Sequence, residues 1–521
     1  MSNPSQHQVL IVGAGPTGLM LAIELTLLSL SVRIIDRASE TKRQVRACVI
    51  WSRAQEALAG LGVIDKFLAG SHKMHNFDVY AKGKKLSGFE FGHIKSDYPF
   101  PMTIEQHDTE RFLAESLSDL GVEVEWETEA IEVRTHDNGA EVTVRAANGK
   151  EETIEAQWLV GCEGSRSPIR EAAQIPFEGE PAMNLQAVQV NAKPTWQFPK
   201  STSQGYFFLA EQVSIMSIPV PGDTYRFFTF TTDPSPERKT PPTLAEMRDL
   251  TAAAACIPEL QLELSEPVWL SRARFQNRIA ATLNKGRVLL VGDAAHSWAP
   301  IGGHGMNTGL RGAFNLGWKL AAVERGEAKS CLLDTYTIEQ RANAQTIVDA
   351  NRMNIVEQPP SATKLRLMET FMPFGLSLKP VKRLMEFTLS DLGMEYRNSP
   401  LSLQQKGSGS LHAGDRIPNV PVVSGEGQWA NLHRLISIHH WTLLLRTKDS
   451  EVVERAYQIV GQYRSTIKVT TIQPMDRDSD RQLGREGQML LVRPDGHVGL
   501  IGAVNDYDTL VKYLDTFLVR V

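Results

Sequence analysis

Two glycine-rich turns, far apart in the chain, carry the residues whose spacing suggests chemistry. The first is GAGPTG (residues 13–18), preceded by an apolar β-branched run at 9–12 and followed by a helical pattern to about residue 30. Residues 32–35 read as the next strand and end at Asp36, eighteen residues beyond Gly18. In such a unit of strand, turn, helix, strand and acid, Gly13 permits the tight turn, Gly15 lets backbone approach a pyrophosphate, and Gly18 lets helix and strand pack closely. Asp36 then accepts hydrogen bonds from a ribose hydroxyl, and its charge disfavours a 2′-phosphorylated nucleotide in that pocket. Glycine turns alone are common; the flanking elements are what favour a nucleotide over a structural turn.

The second turn follows the apolar run 288–291, which stops at Gly292-Asp293 before a long helical pattern that starts near Met306. A buried strand here hands a carboxylate, and then a helix amino terminus, to a ligand. Asp293 suits polyol or ribose hydroxyls, and the unpaired amides of the helix start face a ring beyond them. If that ring gains negative charge on reduction, fixed amide donors stabilise it without reorganising. The plainer reading makes Gly302, Gly303 and Gly305 a tight turn ahead of a helix. A ligand that touches both turns must be long, and the chain between them must be an insertion. A further short strand, 158–160, ends at Gly161-Cys162-Glu163, and its carboxyl end belongs on the same rim if all three strands are parallel. Arg43, Arg46 and Arg53 lie ahead of or within a helix; near a dinucleotide they pair with phosphates, and otherwise they are solvated surface charge.

Positioning these turns calls for an α/β chain. A helix near 108–120 leads into strands at 122–126, 130–136 and 141–146, the last two joined by a hairpin turn at Asp137-Asn138-Gly139. The texture changes over about 181–269. Runs at 185–190, 205–210, 214–219 and 225–231 read as antiparallel strands bearing Tyr206, Phe207, Phe208, Tyr225, Phe227 and Phe228. A helix near 243–256 interrupts them after the proline-rich loop 234–242. The aromatics either wall an apolar pocket or pack across strands in an ordinary core. Helical patterns at about 332–356 and 363–393 precede the connector QQKGSGSLHAGDR. The final stretch has a strand at 441–445, a helix at 450–463, a strand at 467–472 and a hairpin of 489–493 with 497–501. Four segments result: 1–180 and 281–400 form a discontinuous nucleotide-binding unit, the second part with a helical region, 181–280 is an inserted sheet, and 401–521 is a small α/β domain.

A chain of 521 residues, 42% hydrophobic and 22% charged with net charge -5, is an ordinary globular protein able to bury several cores. That charge favours neither nucleic acid nor an anionic membrane as partner, although local basic patches escape the argument. The four cysteines, Cys48, Cys162, Cys256 and Cys331, form no Cys-x-x-Cys pair, so neither a metal site nor a disulfide framework is expected and a reducing, cytoplasmic setting is. The sequence opens without a signal-peptide pattern, and the early apolar stretch 19–30 contains Glu24 and is too short to span a bilayer.

Together these motifs resemble the aromatic hydroxylases among single-component FAD monooxygenases, which have the p-hydroxybenzoate hydroxylase fold and, in larger members, a thioredoxin-like carboxyl domain. GAGPTG with Asp36-Arg37 is similar to the family's amino-terminal FAD motif, VGCEGSRSPIR to its second motif, shared by FAD and NAD(P)H, and GRVLLVGDAAHSWAPIGGHGMNTGLRGAFNLGWKLA to its third. The resemblance implies a Rossmann-like FAD-binding domain with an inserted, mostly antiparallel substrate-domain sheet and a thioredoxin-like α/β domain at the carboxyl end. It implies that Gly13, Gly15, Gly18, Asp36 and Arg37 contact the AMP half of FAD, that Arg46 lies near the flavin and the approaching nicotinamide, and that Gln106 serves the ribityl or pyrophosphate region. Ala130 resembles a backbone contact to adenine, and Asp293, with Gly292 before it, the ribityl-binding aspartate. Pro300, Gly303, His304, Gly305, Met306 and Asn307 resemble the loop and helix start around the isoalloxazine. Three positions depart from the family pattern: Glu163 stands for aspartate, His304 for glutamine and Gly312 for aspartate.

The implied activity is hydroxylation of a phenolic or related aromatic small molecule by dioxygen through a flavin C4a-hydroperoxide, with NADPH or NADH as transient electron donor, in a homodimeric cytoplasmic enzyme. Baeyer-Villiger oxidation or epoxidation of a polyketide-like compound, a flavin dehydrogenase, and a flavin-binding interaction protein without turnover are the alternatives. No side chain is assigned as general base; Tyr225 and His304 are chemically capable, and an ordinary packed residue is the plainer reading of each. Trp269 and Phe275, just upstream of the third motif, are candidate pocket walls. Because every cysteine precedes residue 332, a thioredoxin-like carboxyl domain cannot perform dithiol exchange. Its expected role is to bury surface, narrow solvent access or support a dimer.

Overall fold

A computed structural model of the chain describes residues 7–39, 46–181, 185–232, 240–257, 262–353, 360–405, 410–425 and 427–521. Arg43, most of the proline-rich loop at 234–242 and residues 406–409 of the connector lie outside the described residues. The opening pattern forms β1 (His7–Val12), α1 (Pro16–Leu27) and β2 (Val32–Ile35). Pro16 begins the helix where its missing N–H costs nothing. Two distant strands, β3 (Glu151–Gly161) and β4 (Val288–Leu290), complete a parallel core in the order β4-β3-β1-β2. The apolar runs at 9–12, 158–160 and 288–290 are buried throughout, as fits a sheet covered on both faces. Register sets Val12 beside Gly161 and Gly161 beside Leu290, so the three expected chain reversals do share one rim.

The middle sheet has seven strands, ordered Glu263–Ala273, Leu185–Thr195, Thr224–Thr232, Val213–Val220, Gln204–Ala210, Asn76–Ala81, Lys84–Glu90. It is wider than the stretch 181–280, because a hairpin from the first segment joins it; Asn76–Ala81 pairs in parallel with Gln204–Ala210. Strand alternation resolves the two readings of its aromatics in favour of both. Tyr206, Phe208, Tyr225 and Phe227 pack with Met247 and Ala254 of the helix Leu244–Ala255, while Phe207, Met216, Ile218 and Phe228 face the other way.

After β4 come α2 (His304–Glu324), α3 (Cys331–Met353) and a helical hairpin, α4 (Ala362–Ser377) and α5 (Lys379–Leu389). Leu365 and Met368 of α4 seat the hairpin against Phe207 and Leu209. The carboxyl segment runs strand Trp441–Leu445, helix Ser450–Val460, strand Ile467–Pro474, helix Arg477–Gln482, strands Gln488–Val492 and Val498–Ala503, and helix Tyr507–Phe517. Trp441–Leu445 and Ile467–Pro474 are parallel, and the later hairpin is antiparallel beside the first of them.

This segment shares a core with the nucleotide unit: Trp441 meets Trp318 of α2 edge-on at 5.3 Å. Below that contact lies a buried ionic cluster. Glu339 of α3 accepts from Lys319 at 2.7 Å and from Arg493 at 2.6 and 3.0 Å, and Asn315 bridges Glu339 and Asp495 at 2.8 and 3.0 Å. Burial pushes Lys319 down to about 8 against the pull of Glu339, whereas Arg493 and Lys319 overcome burial and hold Glu339 at about 2. Glu339→Gln leaves the buried Lys319 without a carboxylate and Arg493 with Asp495 alone, and is expected to lower the unfolding free energy by about 3–5 kcal/mol, read as a reduced urea midpoint. Truncation after Ser410 removes Arg493 and Asp495 together and is expected to give an unstable chain; a truncated protein as stable as the full one would contradict this.

Candidate functional site

At Gly13, Gly18, Gly161 and Gly292 the three turns on the rim are packed too closely for a side chain. Gly13 has φ +105° and would aim a Cβ to within 2.5 Å of the Cys162 carbonyl oxygen, so any other residue there is both strained and clashing. The amides of Ala14 and Ala38 each donate to the Asp36 carboxylate at 2.8 Å. Thr17 of α1 is wedged against the second glycine turn: a Cβ at Gly292 would lie 2.8 Å, and one at Gly309 2.4 Å, from its Oγ1. That wedge joins the two distant signals. Arg170 ties the second motif to the third, donating to the carbonyls of Ser165 and Ala294 at 3.0 Å each and stacking on Phe177 at 4.0 Å.

Between the turns and the middle sheet lies a cavity of about 1780 Å³, larger than the roughly 300–1,000 Å³ usual for a single small ligand. Gly15, Asp36, Arg37, Glu110 and Trp126 wall one end, and Arg46, Gln106, Glu163, Asp293, Pro300, Gly303, Gly305 and Met306 the middle. The far end is apolar, with Phe77, Phe207, Met216, Phe228, Trp269 and Phe275 opposed by Leu376, Leu384 and Met385 of the hairpin. Trp269 and Phe275 are therefore walls, as expected.

Several expected contacts lie elsewhere. Gly13, Gly18, Gly292 and Asn307 stand behind the lining. Asn307 is a clamp: its Oδ1 accepts from the Trp51 amide at 2.8 Å, and its Nδ2 donates to the carbonyls of Val49 and Gly303 at 2.9 and 2.8 Å. Ala130 sits in the strand Glu129–His136 opposite Val144 and does not line the cavity. Neither candidate base reaches it. The Tyr225 hydroxyl donates to the Ser201 carbonyl at 2.9 Å, and burial pushes its phenol up. His304 stacks on Trp51, with Nδ1 2.9 Å from an Asp391 oxygen. Arg53 is neither a phosphate ligand nor solvated; it is 7% exposed and donates to the Asp495 carbonyl at 2.6 Å. Gln189 and Arg226, which do line the cavity, were missed. Polar residues at buried alternate positions of otherwise apolar strands were the available signal, but which face they take depends on register.

The electrostatics suit a long anionic ligand. Asp293 faces the cavity and accepts no hydrogen bond from the described residues; burial raises its carboxyl, opposed by Arg46. A polyol offers the donors it lacks. At Gly15 a Cβ would meet no protein atom, leaving backbone open to a pyrophosphate. Burial pushes Glu110 up to about 7 despite the Gln106 amide donating to it at 2.8 Å, and Asp36 adds to the rise. Glu163 is likewise raised by burial to about 7, although Ser167 and the Ile169 amide donate to it at 2.9 and 3.0 Å. These residues fit FAD: Asp293 and the open backbone at Gly15 are the groups that would take its polyol and its pyrophosphate.

The fold and this cavity define an FAD-dependent aromatic monooxygenase. Residues 6–351 match the FAD binding domain family and residues 410–520 the aromatic-ring hydroxylase C-terminal family; the chain belongs to the FAD binding domain family. It is 30% identical over 532 residues to 6-methylpretetramide 4-monooxygenase of Streptomyces rimosus, covering 97% of this chain and 93% of that protein. It is 29% identical to pentachlorophenol 4-monooxygenase of Sphingobium chlorophenolicum, covering 98% and 97%. Its fold matches that of the anhydrotetracycline hydroxylase OxyS from Streptomyces rimosus with a TM-score of 0.78 at 27% identity, over 98% of this chain and 99% of that one.

Two outcomes follow from the charges. Asp293→Ala is expected to weaken FAD about 10- to 100-fold, the worth of a charge-assisted hydrogen bond, measured by flavin fluorescence on titration. Glu110, neutral below about 7, gains its charge beside Asp36 and the cofactor phosphates as pH rises, so FAD affinity should fall through that range. Glu110→Gln should flatten the fall; an unchanged slope would assign the titration elsewhere.

Proposed function

We propose that this monooxygenase takes electrons from NADPH or NADH and one oxygen atom from dioxygen to hydroxylate a phenolic or related aromatic compound. The observation that carries this reading is the aromatic-walled extension of the cavity beyond the loop of Pro300 and Gly303. Bound FAD supplies hydride acceptance and oxygen activation. The chain's own residues hold, orient and shield. Asp293 and Gln106 orient the cofactor's linker, and the first amides of α2, unpaired within the helix, oppose negative charge at the ring they face. Phe77, Phe207 and Phe228 keep water from the reacting end.

Arg226 sets the substrate end's polarity. It is 2% exposed, donates to the Arg46 carbonyl and to Gln189 at 3.1 Å each, and lies over the Trp269 ring at 4.8 Å. Arg274 and Arg278 also line the cavity, Arg278 beside Phe177. A phenol bound beside these cations is favoured as its oxyanion, which enriches the ring at the ortho and para carbons. Among the described residues no histidine, tyrosine or carboxylate lines the apolar end, so ionisation rests on this field and not on a side-chain base. The relatives named for pentachlorophenol and 6-methylpretetramide support an aromatic substrate. In the carboxyl domain, a parallel strand-helix-strand unit followed by an antiparallel hairpin and a helix supports the thioredoxin-like reading without redox cysteines.

Under isotopically labelled dioxygen, a panel of phenols should yield a product with one labelled oxygen on the ring and substrate-stimulated NAD(P)H oxidation. An unlabelled product would make the protein a dehydrogenase, a labelled ester would make it a Baeyer-Villiger enzyme, and bound flavin without turnover across the panel would favour an interaction protein.

A further inference from the structure

The α4–α5 hairpin exposes apolar surface of a kind found nowhere else among the described residues. Leu367, Phe371 and Phe374 recur along one stripe of α4, Leu378 follows at its end, and Leu384 and Phe387 continue the apolar surface on α5; Phe371, Phe374 and Leu384 are 64%, 68% and 66% exposed. This is not a loosely held lid. The inner side is mounted by Leu365 and Met368 in the core, by Glu386 accepting from the amides of Gly92 and His93 at 2.6 and 3.0 Å, and by the Lys82 to Glu369 pair at 2.9 Å. Large apolar patches on a rigid surface mark a contact.

Charge selects the occupant. The hairpin carries Lys364, Arg366, Lys379, Lys382 and Arg383 against only Glu369 and Glu386. Both acids are already engaged, and none of the five cations makes an ion pair with a described residue. In a chain of net charge -5, this patch reverses the sign. Self-pairing of two such hairpins would set cations against cations, whereas a surface of lipid phosphates neutralises them while Phe371 and Phe374 insert among acyl chains. No described helix is long and apolar enough to cross a membrane, so the contact is with the surface.

We propose that the α4–α5 hairpin docks this enzyme peripherally on an anionic lipid bilayer, with the mouth of the substrate chamber inside the contact. Val381, Leu384, Met385 and Thr388 line the cavity, and Leu384 is at once wall and exposed surface. A lipophilic aromatic compound dissolved in the bilayer then reaches the chamber without crossing water. Docking stands independently of the proposed hydroxylation; only delivery of substrate rests on it.

The test uses the full-length, FAD-loaded protein in sedimentation with vesicles of phosphatidylglycerol and phosphatidylcholine in equal parts, and with phosphatidylcholine alone. Binding is expected to the anionic vesicles, weakened by salt. The double variants Phe371→Ser with Phe374→Ser, and Arg366→Glu with Arg383→Glu, should each weaken it by at least about tenfold. Both should keep bound flavin and the same melting temperature. No sedimentation of the wild-type protein, or undiminished binding by both variants, would overturn the proposal. So would conversion of a dimer to a monomer by the phenylalanine variant, which would make the patch a self-interface, or binding to immobilised polyglutamate but not to vesicles, which would point to an acidic protein.

Discussion

The interlock of α1 with α2 is the constraint on which the site depends. At one end Thr17 sits against Gly292 and Gly309, where even a methyl group would meet its hydroxyl. At the other, a Cβ on Gly317 would lie 2.3 Å from the Glu24 carboxyl carbon, and the fully buried Glu24 accepts from the Trp318 amide at 3.1 Å. Burial pushes that carboxyl well above its ordinary range, and Asp495 adds to the rise. Because the helices cannot separate, the turns that lead into them cannot either. A cofactor that spans both therefore meets a rim whose spacing is set before it arrives, and little ordering remains to oppose binding.

The same interlock explains why the carboxyl domain is not an appendage. Trp318, fixed by Glu24 on one side, meets Trp441 on the other. Lys319, the next residue, joins Glu339 and Arg493 in a cluster with no exposed member. A cluster of that kind stabilises little over an apolar equivalent, yet it tolerates no partial loss. Its effect here is to make the position of α2, and with it the helix start that borders the cavity, depend on residues almost two hundred positions downstream.

What was legible in the sequence was local. The turns at Gly13 and Gly292 could be read because turn chemistry and the period of the flanking runs are set within about twenty residues, and the parallel register then followed from the fold class. What escaped depended on pairings across the chain. Phe207 and Phe208 are neighbours with opposite duties, one a cavity wall and one core, and only their register against Met216 and Ile215 decides which is which. The strand Asn76–Ala81 alternates cleanly, but nothing local says that its partner is Gln204–Ala210. Arg53 looked like a surface or phosphate cation because what buries it is distant: besides Glu56 on its own helix, it donates to the Asp495 carbonyl, 442 positions away.

The three departures from the family pattern have physical explanations once the packing is known. The longer reach of Glu163 is used on its own chain, where Ser167 and the Ile169 amide bind it at the start of the next short helix. At Gly312 an added Cβ would lie 3.3 Å from the Gln340 side chain, which itself donates to Tyr396 at 3.1 Å, so an aspartate would have to displace a bonded amide. The carboxylate returns instead at Asp391, 3.5 Å from Arg311 and 2.9 Å from His304. Arg311 and His304 outweigh burial and keep Asp391 ionised. Asp391 accepts a left-handed backbone, φ +59°, to be there, a strain of order 1 kcal/mol that persists only where surrounding contacts compensate it. His304, where the family pattern has glutamine, is thus the partner of the Asp391 carboxylate just beyond α5. Through that pair the end of the hairpin is tied to the start of α2, and both elements line the cavity.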